Sequence, residues 1–233
     1  MTDPTPPAHV HGRFQPFHDE HLDYVRWAAT DSASDRLLIG ITNADSAHTV
    51  ATDADPERHR PRNNPFTYYE RHRMIERGLD DADLPCPVSI APFPINRPDL
   101  WDAYAPPEAV HYVNVLGEWH ERKVERLRSN GRTVRDKRGT RTVSATAVRQ
   151  AMAAGDEWDE RVPDPVAAEI RERGLLDRVR DLYEDDLLHK ALMGSSLLGI
   201  VAVEVGWIVT EVGRQPWVIQ DVMQTSDGVS QGL

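Results

Sequence analysis

Cysteine is almost missing from these 233 residues: Cys86 stands alone, so an internal disulfide and a zinc cluster built on cysteines are both excluded. A single thiol of this kind is expected to be buried and structural. Lysine is nearly as scarce. Of 27 cationic side chains only Lys123, Lys137 and Lys190 are lysines, and 38 acidic groups outnumber them all, for a formal charge of −11. A basic face for sequence-independent binding to nucleic acid is therefore not expected. The acidic, Lys-poor balance suits a high-salt cytoplasm, a halophilic expectation that a GC-rich genome would explain equally well. No Gly-rich Walker loop is present, which excludes a P-loop protein. The opening MTDPTPPAH has neither a basic n-region nor an apolar run, so no signal peptide is expected and the protein is read as cytoplasmic. Internal repeats and low-complexity tracts are absent too.

What remains is a chain with 39% hydrophobic and 28% charged residues, the balance of a folded domain of ordinary size. Apolar strand-like runs alternate with helical ones. AHVHGRF is short and extended, and DEHLDYVRWAAT follows with Leu22, Val25, Trp27 and Ala28 near helical spacing. RLLIGIT (36–42) has the continuous apolar character of a strand buried on both faces. Residues 44–65 are polar and read as a long surface loop. Thr67 and Glu70 form a capping box at the start of a helix carrying Met74, Ile75 and Leu79 inward. CPVSIAPF is a strand, RPDLWDAY a helical turn, AVHYVNVL a strand and EWHERKVERLRS a charged helix. VSATAVRQAMAAG begins a helix that Ser144 or Thr146 can cap, and DPVAAEIRERGLLDRVRDLY is one further helix with Pro165 in its first turn. Such alternation predicts an α/β fold, a Rossmann-like parallel sheet wrapped by helices, over residues 1–183.

The segment HGRFQPFHDEH, from position 11, sits at the turn after the first strand, where ligands of such sheets bind. Gly12 would let the backbone approach a bound group, and the following helix offers free N–H groups to an anion. His18 and His21, three apart, can face one ligand from the first helical turn, and Arg13 completes a cationic pocket suited to phosphate. A plainer account makes the two histidines a solvated helix cap and Phe14 and Phe17 core residues.

The same stretch resembles the GRFQPFHxGH form of the HxGH motif of the nucleotidyltransferase superfamily, and in particular the archaeal type of nicotinamide mononucleotide (NMN) adenylyltransferase. NPFTYYER (64–71) is similar to that family's DPFTxxER, and VSATAVRQAM (143–152) to its (I/V)SxTxVR segment, so the resemblance covers roughly residues 9–180. It implies that Arg13, His18, His21 and Arg149 carry the catalysis by holding a triphosphate, with Gly12, Phe14, Ser144, Thr146 and Arg62 binding the nucleotide. Ser144 and Thr146 could equally do no more than cap their helix. It implies further that a phosphorylated acceptor attacks the α-phosphorus of a nucleoside triphosphate, foremost ATP with NMN giving NAD and pyrophosphate. CTP, or another phosphorylated acceptor, is the alternative within the enzyme class, and a non-catalytic nucleotide-binding regulator is the alternative outside it. Mg²⁺ would travel on the substrate phosphates, no protein metal site is expected, and relatives of this kind are commonly homo-oligomers. RPDLW resembles the segment that sets a Trp against nicotinamide, making Trp101 the acceptor-binding candidate. Two positions depart from the pattern. Glu20 replaces the motif glycine, where a carboxylate beside a triphosphate is unfavourable unless it points away. Asn63 stands where the family has an arginine, with Arg62 one place off.

After Tyr183 the composition changes. LLHKALMGSSLLGIVAVEVGWIVTEVG is apolar apart from His189, Lys190, Glu204 and Glu211, and two carboxylates make a lone membrane span costly. Residues from about 187 resemble a stretch of subunit I of the cytochrome bd quinol oxidases, with Trp207, Glu211 and Arg214 at the positions of GWxxxExGRQPW. Residues 184–233 are thus expected to be a separate hydrophobic tail: a fused or misjoined reading frame first, a membrane tether through 187–212 second, and a soluble amphipathic helix third.

Overall fold

The structure, a computed structural model, describes residues 5–32, 34–45, 49, 51, 57–140, 142–214, 217–219 and 223–224, with side chains as far as 209 except at 194 and 196–198. Much of the expected loop at 44–65 (46–48, 50 and 52–56) lies outside the described residues, as do the side chains of Glu211 and Arg214. Two compact units divide the chain, Met1–Tyr183 and Glu184–Leu233.

In the first unit, five parallel strands form one sheet: β1 (Ala8–Gly12), β2 (Leu37–Thr42), β3 (Val88–Phe93), β4 (Val110–Val115) and β5 (Thr133–Arg138), in the order β3-β2-β1-β4-β5. Helices α1 (Asp19–Asp31), α2 (Tyr68–Leu79), α3 (Glu118–Ser129), α4 (Ala145–Ala154), α5 (Asp164–Glu172) and α6 (Leu175–Arg214) follow them, the last running on into the second unit. The apolar β2 lies inside the sheet, as its composition predicts, together with β1 and β4. The edge strand β5 has no such signature. Its sequence, TVRDKR, is charged and largely exposed, and it becomes a strand only because β4 offers a free edge.

Alternation along the strands makes two cores. Val10, Ile39, Ile41 and Tyr112 join Phe17, Met74, Val148, Val166, Ile170 and Val179 in the larger one. Val113 and Val115, one residue out of phase with Tyr112, face the opposite side, where Phe93, Trp101, Val124 and Leu127 pack. Cys86 is buried at the margin of the larger core. The expected single helix from Asp164 to Tyr183 is instead two, α5 and α6, because Gly174 adopts a left-handed φ of 63° that reverses the chain between them. Helices α2 and α5 are joined through the buried carboxylate of Glu169, which Arg73 and Arg77 approach at 3.5 Å and Arg173 also pairs.

Within the second unit the distal part of α6 exposes Leu187, Leu192, Val203 and Trp207. Lys190 pairs with Asp186 at 3.0 Å, and only 13 uncharged residues separate Lys190 from Glu204. A span needs about 20. Among the described residues no helix is long and apolar enough to cross a membrane, so the tether expected from residues 187–212 finds no spanning helix. Two short strands, β6 (Trp217–Ile219) and β7 (Met223–Gln224), pair antiparallel beyond it.

Gly40 is where β2 meets the second core: an added Cβ would lie 2.7 Å from both His9 Nε2 and Phe93 Cβ. Gly40→Val is expected to overpack this seam and destabilise the fold by about 1–3 kcal/mol. The check is the urea midpoint, which should fall at constant slope, whereas an unchanged midpoint contradicts the close approach.

Candidate active site

Strand β1 pairs with β2 on one side and with β4 on the other, so the chain reverses its winding between β1 and β4. Loops leaving the carboxyl ends of two such strands diverge and leave a crevice. A cleft of about 360 Å³ opens there, lined by the turn after β1, the first turns of α1 and α4, Asn114 and Leu116 beyond the middle of β4, and one face of α3. Among the predicted site residues, Gly12, Arg13, Phe14, His18, His21, Ser144, Thr146 and Arg149 all line it.

The turn after β1 is stitched in place by the two other motif segments. Gln15 exchanges a pair of hydrogen bonds with the backbone of Phe66, its amide donating at 2.8 Å and accepting at 3.0 Å. Arg71, only 1% exposed, spreads its guanidinium over the carbonyls of Arg13 and Thr42 at 3.0 Å, Asn43 at 2.8 Å and Ala44 at 3.0 Å, while its Nε donates to Thr67. The arginine of YYER is therefore a clamp on the ends of β1 and β2. The peptide between Gln15 and Pro16 is cis.

Arg149 clamps the same turn from the other side. It donates to Gln15 O at 2.5 Å, Asn63 Oδ1 at 2.9 Å and Thr146 Oγ1 at 3.2 Å, and it is 1% exposed. Burial holds the guanidinium pKa down to about 10, and that of Arg71 likewise to about 10, so both remain charged at neutral pH. The motif arginine expected to grip phosphate thus lines the cleft and also braces the turn that forms its wall. Asn63, the residue standing in the place of the family's arginine, holds that brace.

His18 and His21 lie ring on ring, with centroids 3.6 Å apart and planes 25° apart. The backbone N–H of His18 donates to His21 Nδ1 at 3.3 Å. In a neutral ring this places the His21 proton on Nε2. Each histidine therefore serves as both helix cap and cleft wall, and the two accounts of the pair are compatible. Across the cleft Ser144 caps α4, accepting from Ala147 N at 3.1 Å. Arg13 reaches Asn64 Oδ1 at 3.5 Å.

The remaining candidates are placed as follows. The space a Cβ would fill at Gly12 is taken by the Phe14 ring, 3.1 Å away, so this cleft-lining glycine makes room for a neighbouring side chain. Phe14, at φ 54° and 1% exposed, packs against Phe17 and His21 as the floor of the cleft, with no exposed face for a base. Arg62 does not line the cleft; it pairs with Glu57 and lies over the Tyr183 ring at 5.9 Å. Trp101 is 1% exposed in the second core, with its indole N–H donating to Pro94 O at 3.0 Å. It is not among the residues lining the cleft.

Three cleft residues escaped the sequence reading because nothing local distinguishes them. Lys123, on the helix read from its sequence as charged and amphipathic, points inward and donates to His11 O at 2.8 Å. Burial, then the nearby Arg58, lowers its pKa to about 7. Trp119 carries Arg58 over its ring at 5.0 Å and Lys123 at 5.7 Å. Beneath them His9, His11 and His111 are buried together, His11 Nε2 and His111 Nδ1 being 3.2 Å apart. Burial is the largest cause of their lowered pKa values, that of His111 to about 3, so all three are neutral packing groups. Among the described residues no group of three or more His, Cys, Asp or Glu side chains is placed to hold a metal ion.

A doubly wound parallel sheet whose switch-point cleft is walled by imidazoles, cations and helix N-termini is a Rossmann-like fold with a crevice suited to an anionic ligand. The chain belongs to the cytidylyltransferase-like family, which it matches over residues 10–182. It is 38% identical over 174 residues to phosphonoformate cytidylyltransferase of Streptomyces viridochromogenes, covering 73% of this chain and 94% of that one. It is 33% identical over 186 residues to nicotinamide-nucleotide adenylyltransferase of Thermoplasma acidophilum, covering 77% and 93%. The crystal structure of a bifunctional NMN adenylyltransferase/ADP ribose pyrophosphatase from Francisella tularensis superposes with a TM-score of 0.59 at 15% identity, covering 82% of this chain and 57% of that longer one. The fold is thus shared with it. Residues 147–233 separately match cytochrome bd terminal oxidase subunit I, a match that overlaps the transferase segment from 147 to 182.

Lys123 gives the cleft a charge that depends on pH. Its ammonium is present below about pH 7 and lost above it, and a bound anion favours the charged form. Affinity for inorganic pyrophosphate is therefore expected to fall as pH rises from 7 to 9, and Lys123→Met to flatten that decline. Calorimetry on both proteins checks it; equal slopes would remove Lys123 from the anion's surroundings.

Proposed function

We propose that the protein transfers a nucleoside monophosphate from a nucleoside triphosphate to an anionic oxygen of a small phosphorus oxyacid, with release of pyrophosphate. The observation that carries this reading is the facing of two helix N-termini, one bearing the stacked His18 and His21 and the other Ser144 and Thr146, across one cleft with Arg13 and Lys123. The acceptor oxygen attacks the α-phosphorus in line. The bond to the bridging oxygen breaks, and its electron pair leaves with pyrophosphate. No protein nucleophile is required, so the side chains serve to align the reactants and to offset charge growing on the bridging and non-bridging oxygens. His21 Nε2–H and Arg13 are the donors assigned to the triphosphate. The cleft is rich in donors and, among the described residues, has a single carboxylate, Glu20, already engaged by backbone N–H groups, so a divalent ion fits here as cargo of the phosphates. Such an ion, Mg²⁺, would supply further charge neutralisation.

For the substrates we assign CTP with a small phosphonate or phosphate acceptor. The Streptomyces relative bears that kind of name, and Trp101, the residue expected against nicotinamide, is enclosed in the second core. ATP with NMN is the second reading, supported by NMN adenylyltransferases such as that of Thermoplasma acidophilum. Pyrophosphate release measured with CTP or ATP, each against phosphonoformate or NMN, separates them. Release from no pair would favour a nucleotide-binding regulator. With the active pair, His21→Ala is expected to lower the rate by roughly 10²–10³-fold. A chain ending at Tyr183 is expected to keep the full rate, because every residue lining the cleft precedes that point.

A further inference from the structure

Glu20 occupies the motif position where a glycine is usual, and its carboxylate lies in a cleft assigned to phosphates. One of its oxygens, Oε1, accepts three hydrogen bonds from the loop between β5 and α4: from the Thr142 N–H, from Thr142 Oγ1 at 2.8 Å, and from the Val143 N–H at 2.9 Å. The next residue is Ser144, the cap of α4. We propose that Glu20 is a positioning residue that fastens this loop to α1 and thereby fixes the α4 N-terminus at the width that a polyphosphate chain requires.

Two ties then hold the start of α4 to the segment from the turn after β1 to the first turn of α1. Glu20 is one; the other runs from Thr146 through Arg149 to the carbonyl of Gln15. His18 and His21 lie in sequence on either side of Glu20, so the same helical turn that presents the imidazoles also sets the opposite wall. A glycine here could not make the tie, and the loop N–H groups would turn to water. Burial alone would raise the carboxyl pKa, but the N–H groups of Val143 and Thr142 and the Thr142 hydroxyl outweigh it and hold it below the ordinary carboxylate value. The tie is therefore intact at neutral pH. With Oε1 spent on these donors, the acid is compatible with an anionic ligand.

The inference rests on the nucleotidyltransferase reading, and its test uses two readouts. Glu20→Gln keeps the accepting oxygen and removes the charge; Glu20→Gly restores the usual motif residue and removes the tie. For the full chain with the active nucleotide and Mg²⁺, Glu20→Gly is expected to raise KM for the nucleotide about tenfold, the equivalent of one hydrogen bond to a charged group, with kcat changed far less. Glu20→Gln should stay close to the parent. A fall in KM for both variants would mean that the carboxylate repels the nucleotide, and would overturn the proposal. The second readout is hydrogen exchange over residues 139–147 without ligand. Faster exchange in Glu20→Gly than in Glu20→Gln is expected, and equal exchange would refute the tie even if no substrate pair proved active. Failure of every nucleotide to react would thus overturn the assigned chemistry while leaving the loop measurement decisive for Glu20.

Discussion

The site depends on two buried guanidinium groups that hold one turn from opposite sides. Arg71 and Arg149 spend their N–H groups mainly on backbone carbonyls and on neutral side-chain oxygens. Burying a charge is costly, and directed hydrogen bonds to these oxygens are what offset that cost. Because carbonyls satisfy the geometry without cancelling the charge, both arginines leave positive potential behind the cleft. A chain with a formal charge of −11 can in this way present a locally cationic site. The three sequence motifs are brought together by the same bonds: Arg71 and Phe66 hold the first from the second, and Arg149 holds it from the third.

Histidine appears in this small region with two opposite characters, and burial decides between them. His9, His11 and His111 are enclosed between strands and the second core, where desolvation keeps them uncharged and they pack as aromatic rings against Phe93 and one another. His18 and His21 lie at a helix start beside the opening, where one ring's orientation is set by a backbone N–H. The crowding of titratable groups in HGRFQPFHDEH is thus shared between the floor of the cleft, its wall and the tie made by Glu20.

Several motif residues that line the cleft also have structural duties there. Gly12 makes room for Phe14, Phe14 forms the floor, and Arg149 braces the turn. A motif records which residues must recur near a site. It does not separate those touching the ligand from those holding the others in place, since both are constrained by the same geometry.

Legible in the sequence were the parallel α/β architecture, the capping box of Thr67 and Glu70, the cap at Ser144 and the cleft positions of Arg13, His18 and His21, because local spacing and strand-end position carry each of them. Hidden from it were β5, whose charged residues become a strand only beside β4, and the break at Gly174, one glycine in an otherwise helical pattern. Hidden too were the inward turn of Lys123, the placement of Trp119 under Arg58, the enclosure of Trp101 and the engagement of Glu20 with a loop 122 residues away. All of these depend on which surfaces meet after the sheet has wound in both directions from β1. Periodicity along a chain specifies an element and its inner face, whereas contacts between distant elements arise only from packing, and it is packing that decided the chemistry of the site.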